Sequence, residues 1–405
     1  MKRVLLVTNI PNPYRIPLFN ELHRQLERQD IQLRVLFAAL GYRRRKWMLD
    51  MSQCCFEYDV LSSRTFEIGG DAEKTIFTYG GLFQHLRKYH PDAVVVAGFS
   101  LATLQLWLNS WVESLPYIIW TGSVKGVWTN RAGKRTTRSL VRTLQRKAMV
   151  SRAAGFVAYG SSARTYLIDL GVSPEIISIG INTVDTRYFA EETQRLRKQY
   201  ASGSVARSEK QHLTCIGDLS ARKGTPKMLQ ALQKAARIRT DFVLDLIGDG
   251  ADRPRLEAFV QENNLSEHVR FHGYRQRGEL PAYLAQSCCL LYPTNYDVWG
   301  LAVVEAMAAG LPVIASANAG VTHDLVQDGI TGFAVDFADI DSLADRICWV
   351  LDQPEEAAAM GRRGSAFIAQ HATIEKSAAG FVEAITRVLG TSKQQQSSPE
   401  RLSPV

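Results

Sequence analysis

No window of this sequence reaches eighteen consecutive apolar residues, so it holds no segment long enough to cross a bilayer as a helix. The opening "MKRVLLVTNIPNP" lacks the long apolar stretch and small-residue cleavage site of a secretory signal. Cysteine is sparse: six residues, four of them in the adjacent pairs Cys54-Cys55 and Cys288-Cys289, a spacing that suits neither a disulfide framework nor a zinc site. These absences predict a cytoplasmic chain. Acids are missing altogether between Lys125 and Arg152, where Arg131, Lys134, Arg135, Arg138, Arg142, Arg146 and Lys147 also fall. Most of these recur at three to four residues and share one helical face, with Leu140, Leu144, Ala148 and Met149 on another. A basic amphipathic helix over residues 125–152 rests on an anionic membrane surface or holds a phosphorylated ligand, which would make the protein peripheral on the inner face of the membrane. A solvated face without a partner is the plainer alternative. Arg43, Arg44, Arg45 and Lys46, beside Trp47, form a second basic cluster. No nucleic-acid-binding module accompanies either one, so no nucleic acid partner is expected.

What is present is globular usage, with nearly half of the residues hydrophobic and about a fifth charged. A chain of 405 residues exceeds one ordinary core, which predicts two domains. Short apolar runs alternate with helical periods. "VLLVTN", "IQLRVLFA", "AVVVAG", "PYIIWTG" and "AAGFVAYG" read as buried strands, with helices such as "PLFNELHRQLERQ" and "GGLFQHLRKY" between them. The polar "EETQRLRKQYASGSVARSEKQ" interrupts the alternation and reads as an interdomain connection. A second series follows in "HLTCIGD", "FVLDLIGDG", "VRFHGY", "CCLLYPT", "PVIAS" and "GFAVD". The expected class is α/β, with Rossmann-like, doubly wound domains over residues 1–190 and 205–375 facing a cleft at the carboxyl ends of both sheets. Residues 376–390 are expected as a helix packing back on the first domain, and 391–405 as a disordered tail.

One stretch of the second series, "NYDVWGLAVVEAMAAGLPVIAS" (295–316), places two carboxylates around a glycine. "CCLLYP" is the strand, "TNYDVWG" its exit loop and "LAVVEAMAA" the following helix, ended by Gly310 before Pro312. The helix amino terminus therefore lies at the carboxyl end of the sheet, where free N–H groups and the dipole attract anions. Gly300 removes a Cβ where a phosphate would come closest to the backbone. Asp297 and Glu305 are suited to polyol recognition, since a carboxylate accepts from two hydroxyls at once. The bland alternative is that Glu305 complements a dipole and Asp297 solvates a loop.

Several segments together favour the ligand reading. "DVWGLAVVEAMAAGLPVIAS" resembles the acidic E-x7-E segment of glycosyltransferase family 4, retaining enzymes of GT-B architecture. "GDLSARKG" (217–224) is similar to that family's phosphate-binding segment, and "INTVDTRYF" (181–189) to its turn before the interdomain link. "NIPNPYRIPLFNEL" (9–22) resembles the amino terminus of one subset, and "GITGFAVDFADIDSLADRI" the family's next strand and helix. The resemblance implies a hexosyltransferase that moves a hexose from a nucleoside diphosphate sugar to a glycan or lipid-linked acceptor in cell-envelope or exopolysaccharide biosynthesis. It implies Lys223 at the diphosphate, Asp297 on the donor sugar and Glu305 on the ribose hydroxyls, with Arg222 as the substitute cation where Asp218 replaces the family's usual arginine. Gly217, Gly300 and Leu301 would line the diphosphate, and Gly273, Tyr274 and Arg275, in "HGYRQRGEL", the base. Positive side chains would stabilise the departing diphosphate. No metal and no cofactor is expected. Arg15 and Ser123 are the acceptor-side candidates.

Three positions depart from the family pattern. Asp297 stands where glutamate is usual, and Asp218 where the phosphate segment usually has arginine. Gly122-Ser123 stand where many relatives carry a histidine. Two other functions stay open on this sequence: a nucleotide-sugar epimerase or hydrolase of the same architecture, and a catalytically silent nucleotide-sugar binder. His323, Tyr14, Trp120 and Trp128 are weaker candidates, each as readily a cap or a core side chain.

Overall fold

The structure, a computed structural model, describes residues 1–42, 47–68, 71–125, 137–202 and 210–396. The basic cluster at 43–46, the residues Trp128, Arg131, Lys134 and Arg135, and the tail from 397 lie outside them. The chain divides into two compact units: Met1–Ile181 with Glu375–Val405, and Asn182–Ile374.

The first unit contains β1 (Lys2–Thr8), β2 (Ile31–Phe37), β3 (Glu57–Val60), the antiparallel hairpin β4 (Thr65–Ile68) and β5 (Asp71–Phe77), then β6 (Ala93–Ala97), β7 (Tyr117–Thr121), β8 (Gly155–Ala158) and β9 (Ile177–Ile179). Seven of these form one parallel sheet in the order β3-β2-β1-β6-β7-β8-β9. Because both faces are covered, the central strands are apolar at successive positions rather than at alternate ones. On β1, Val4 and Leu6 enter one core while Leu5 and Val7 enter the other. Helix Ile16–Glu27 and the final helix Ile374–Gln396, through Ala378, Phe381, Val382 and Ile385, close the first of these faces. The edge strands β3 and β9 and the hairpin carry no continuous apolar run, which is why the sequence pattern does not announce them.

The second unit contains β10 (Gln211–Ile216), β11 (Phe242–Ile247), β12 (Val269–Gly273), β13 (Ser287–Tyr292), β14 (Val313–Ser316) and β15 (Phe333–Val335), all parallel in the order β12-β11-β10-β13-β14-β15. The polar stretch expected to connect the domains is largely a helix, Thr186–Ala201. Asp185 caps it, accepting from the Tyr188 N–H at 3.0 Å, and the helix buries Phe189 and Thr193 against helices Leu280–Gln286 and Leu301–Ala308. It therefore belongs to the second unit, and the first ends at Ile181 rather than at 190.

Two further elements bear on function. Helix Leu301–Ala308 buries every residue from Val303 onward, and helix Pro354–His371 approaches the turn after it through its own Gly361, where a Cβ would stand 2.2 Å from the Gly310 carbonyl oxygen. The basic segment is helical over Thr137–Ser151, but its expected apolar face divides. Met149 is buried, whereas Leu140, Val141 and Leu144 are exposed. Among its arginines, Arg146 turns back to donate to the Tyr166 hydroxyl at 2.9 Å. Among the described residues no helix is long and apolar enough to cross a membrane.

Candidate active site

Two adjacent strand exits build the site. Strands β10 and β13 are neighbours, so the turns that leave their carboxyl ends lie side by side. The first turn, Ala221–Lys223, ends on Gly224 at φ +65°, where helix Thr225–Ala236 begins. A Cβ on Gly224 would sit 1.9 Å from the Pro293 carbonyl oxygen, so no other residue fits the position. The second exit, 293–300, is fastened to the first. The Asn295 N–H donates to the Arg222 carbonyl at 2.9 Å, and its side-chain amide donates to the Ala221 carbonyl at 2.8 Å.

That fastening brings Lys223, Arg222 and Asp297 together. One carboxylate oxygen of Asp297 accepts from Lys223 Nζ at 2.5 Å, from the Tyr292 hydroxyl at 2.7 Å and from Arg222 Nη1 at 3.4 Å. Lys223 also donates to Tyr292 at 3.1 Å. Burial alone would push the Asp297 carboxyl up. The Lys223 ammonium, its hydrogen bond, that from Tyr292 and the Arg222 charge hold it down at about 2. Burial and the Asp297 charge keep the Tyr292 hydroxyl well above the usual phenol range, so it remains a donor. Gly300, at φ +138°, is required by this packing: a Cβ there would stand 2.9 Å from the Tyr292 ring and from a Val321 methyl. The space the sequence assigns to an approaching phosphate is therefore filled, at the Cβ position, by Tyr292. Gly300 does serve as the amino-terminal cap of helix Leu301–Ala308, with no side chain bonded to the free N–H groups.

Glu305 lies one turn into that helix and is 9% exposed. Among the described residues no hydrogen bond meets its carboxylate. Burial pushes its pKa up to about 7, against a smaller downward pull from the Arg277 guanidinium. Arg277 lies within the base segment "HGYRQRGEL", whose pattern gives it no role. Tyr292, hidden in a strand, gave no sequence signal beyond its place at a strand end.

The remaining second-unit candidates share this sheet edge. Gly217 donates its N–H to the Ile247 carbonyl at 3.0 Å, and the Gly273 carbonyl accepts from Gly248 at 2.9 Å. Tyr274 is exposed, Leu301 and Asp218 are half-buried, and Arg275 pairs with Glu279 at 3.4 Å. Behind the base segment, Asp245 on β11 holds His212 at 2.5 Å and His272 at 2.6 Å. His323 is exposed on a short helix, and Cys289 is core.

Arg15 and Ser123 belong to the first unit. Arg15 is buried, donating to the Tyr159 hydroxyl at 2.6 Å, with its guanidinium 4.3 Å from the centre of the Trp120 ring. Trp120 is thus a core side chain. The Tyr159 ring would lie 2.3 Å from a Cβ on Gly122, so the place where many relatives carry histidine is occupied here by a tyrosine that Arg15 holds. Ser123, half-buried, donates its N–H to Thr121 Oγ1 at 3.0 Å.

The raised Glu305 pKa has a stability consequence. Between about pH 4.3, where an unfolded glutamate ionises, and about 7, the folded protein keeps a proton the unfolded chain has released. Stability from this group therefore falls as pH rises through that window. Glu305→Gln should raise the thermal midpoint at pH 8, the gain being on the order of 3 kcal/mol at most, and should be nearly neutral at pH 4.5. An equal effect at both values would show that the carboxyl is not destabilised by burial.

Residues 197–367 match the family model described as glycosyl transferases group 1. The GDP-mannose-dependent alpha-(1-6)-phosphatidylinositol monomannoside mannosyltransferase of Mycolicibacterium smegmatis is 32% identical over 191 residues, covering 45% of this chain and 48% of that protein. The 2-deoxystreptamine glucosyltransferase of Streptomyces kanamyceticus is 28% identical over 264 residues, covering 63% and 66%. The first of these relatives is matched over only about half its length. Among solved structures, Anabaena HepE in complex with UDP aligns with a TM-score of 0.72 at 18% identity, covering 95% of this chain and 100% of that one. WaaG, a glycosyltransferase involved in lipopolysaccharide biosynthesis, aligns at 0.67 and 17% identity, covering 94% and 99%. These structural likenesses concern the fold. Residues 197–367 thus carry the match to the glycosyl transferases group 1, in a chain whose two parallel α/β sheets share the GT-B fold of these solved structures.

Proposed function

We propose that this protein is a retaining glycosyltransferase that moves a hexose from a nucleoside diphosphate sugar to a glycan or lipid-linked acceptor in cell-envelope or exopolysaccharide biosynthesis. The observation that carries the reading is the grouping of Lys223, Arg222 and Asp297 at one sheet edge, beside the uncapped amino terminus of the helix that carries Glu305. Relatives whose names specify GDP-mannose-dependent mannosyl transfer and 2-deoxystreptamine glucosylation support it.

On this reading Lys223 and Arg222 exchange part of their contact with Asp297 for the diphosphate oxygens. The free N–H groups of Leu301 and its neighbour add fixed positive potential. As the bond from sugar to phosphate breaks, negative charge grows on the departing diphosphate, and these groups stabilise it in place, with no metal ion required. Asp297, held ionised by its cations, accepts from donor sugar hydroxyls. Glu305 accepts from the ribose hydroxyls, and ligand hydrogen bonds offset the burial of its charge. Gly217, Gly273, Tyr274 and Arg275 line the nucleotide, and Arg15 and Ser123 serve the acceptor side.

An inner-membrane-face location is part of the proposal. Trp111 and Val112, 66% and 87% exposed, lie just past helix Leu101–Asn109, which packs against Thr137–Ser151 with its exposed Leu140, Val141 and Leu144. Arg152 stands 4.3 Å from the Trp111 ring centre. Exposed indole and aliphatic groups beside a run of cations suit an anionic lipid interface.

Lys223→Ala should weaken binding of UDP or GDP at least tenfold while leaving the weak binding of the free nucleoside within about twofold. Equal losses for nucleotide and nucleoside would make Lys223 structural. For the membrane, the full chain should sediment with vesicles containing phosphatidylglycerol, less so at high salt and less for Trp111→Ser with Val112→Ser. Binding that is absent, or indifferent to lipid charge, would remove this part of the reading.

A further inference from the structure

Arg277 opens a short 3-10 turn, Arg277–Glu279, beyond the carboxyl end of β12. Its guanidinium carbon lies 5.0 Å from the ring centre of Tyr188 and 5.5 Å from that of Phe189, both in the first turn of helix Thr186–Ala201. Those rings support the guanidinium through their faces and take none of its N–H groups. Nε and Nη2 are buried, and neither has a hydrogen-bond partner among the described residues. Buried donors are rarely left so, and a guanidinium is donor-only with a fixed fork of N–H groups.

The second half of the observation is Glu305, buried within the same unit with no hydrogen bond to its carboxylate among the described residues. Arg277 is the charged group whose field reaches it. A direct salt bridge would satisfy both, yet none joins them among the described residues. Donor-only and acceptor-only groups that influence one another without bonding suit a ligand group that is donor and acceptor at once. A hydroxyl is such a group: it donates to the carboxylate and its lone pairs accept from the guanidinium. Two neighbouring hydroxyls would offer donors to the Glu305 carboxylate and acceptors to the Nε and Nη2 groups of Arg277.

We infer that Arg277 is a specificity-determining residue of the donor site, reading the vicinal ribose hydroxyls together with Glu305 and so selecting ribonucleotides over 2′-deoxyribonucleotides. The inference rests on the donor-site reading above and adds a residue and a discrimination to it. A site built to bond a hydroxyl rejects the analogue lacking it, because its own buried polar groups are then left unpaired.

The test titrates the full chain with UDP, GDP, their 2′-deoxy forms and inorganic pyrophosphate. The variants are Arg277→Gln, Arg277→Lys and wild type, each checked for an intact thermal transition. Wild type is expected to prefer the ribonucleotide by about tenfold or more. In Arg277→Gln the preference should fall to about threefold or less, with pyrophosphate affinity within about twofold of wild type. Arg277→Lys, which keeps the charge but not the planar fork, should fall between them. A preference that survives in Arg277→Gln, or is absent from wild type, overturns the inference alone. So does an equal loss for pyrophosphate and nucleotide, which would mark Arg277 as a staple of its turn. Wild type that binds neither UDP nor GDP overturns the donor-site reading, and this inference with it.

Discussion

The pairing of Lys223 with Asp297 is the constraint on which the rest of the second unit's edge depends. The partners sit on different strand exits, so the ion pair forms only if both loops hold their paths. Gly224 allows the first loop to pass against the Pro293 carbonyl, and Gly300 allows the second to pass against the Tyr292 ring. Tyr292 then fills the space between and donates to the same Asp297 oxygen that Lys223 holds. Removing one member of so buried a pair leaves an uncompensated charge, a loss of about 3–5 kcal/mol in comparable cases. The same pair is a store of binding potential, since a phosphate offers the lysine a second anion.

Glu305 is organised on the opposite principle. Asp297 is surrounded by cations and stays ionised, whereas Glu305 is buried with only the field of the unbonded Arg277 guanidinium against that burial, and sits at about 7. Two carboxylates eight positions apart in the chain are thus pushed in opposite directions by their surroundings. A side chain that weakens the empty protein in this way is characteristic of a site shaped for a ligand.

Much of the architecture was legible in the sequence because parallel strands buried on both faces leave long apolar runs. Every central strand of both sheets falls on such a run; β3 and β9, at the edges of the first sheet, and the separate two-stranded hairpin do not. The polar stretch over 191–211 reads as a linker because helix Thr186–Ala201, which holds its first half, buries only a thin stripe and exposes many charges. At the site, Lys223 and Asp297 were legible through the family resemblance of their segments, but their mutual bond was not, since it depends on a strand pairing that composition does not reveal. The glycine at 122 looked like a missing histidine. Its cause is a three-body packing of Arg15, Tyr159 and Trp120, drawn from residues far apart in the chain.

The most direct test of the central claim is a crystal structure of the full chain with a bound nucleoside diphosphate sugar. The account predicts diphosphate oxygens within hydrogen-bond distance of Lys223 Nζ and of the N–H groups at the start of helix Leu301–Ala308, with the ribose hydroxyls on Glu305. A nucleotide bound elsewhere, or one that leaves Lys223 on Asp297 with no phosphate contact, would contradict it.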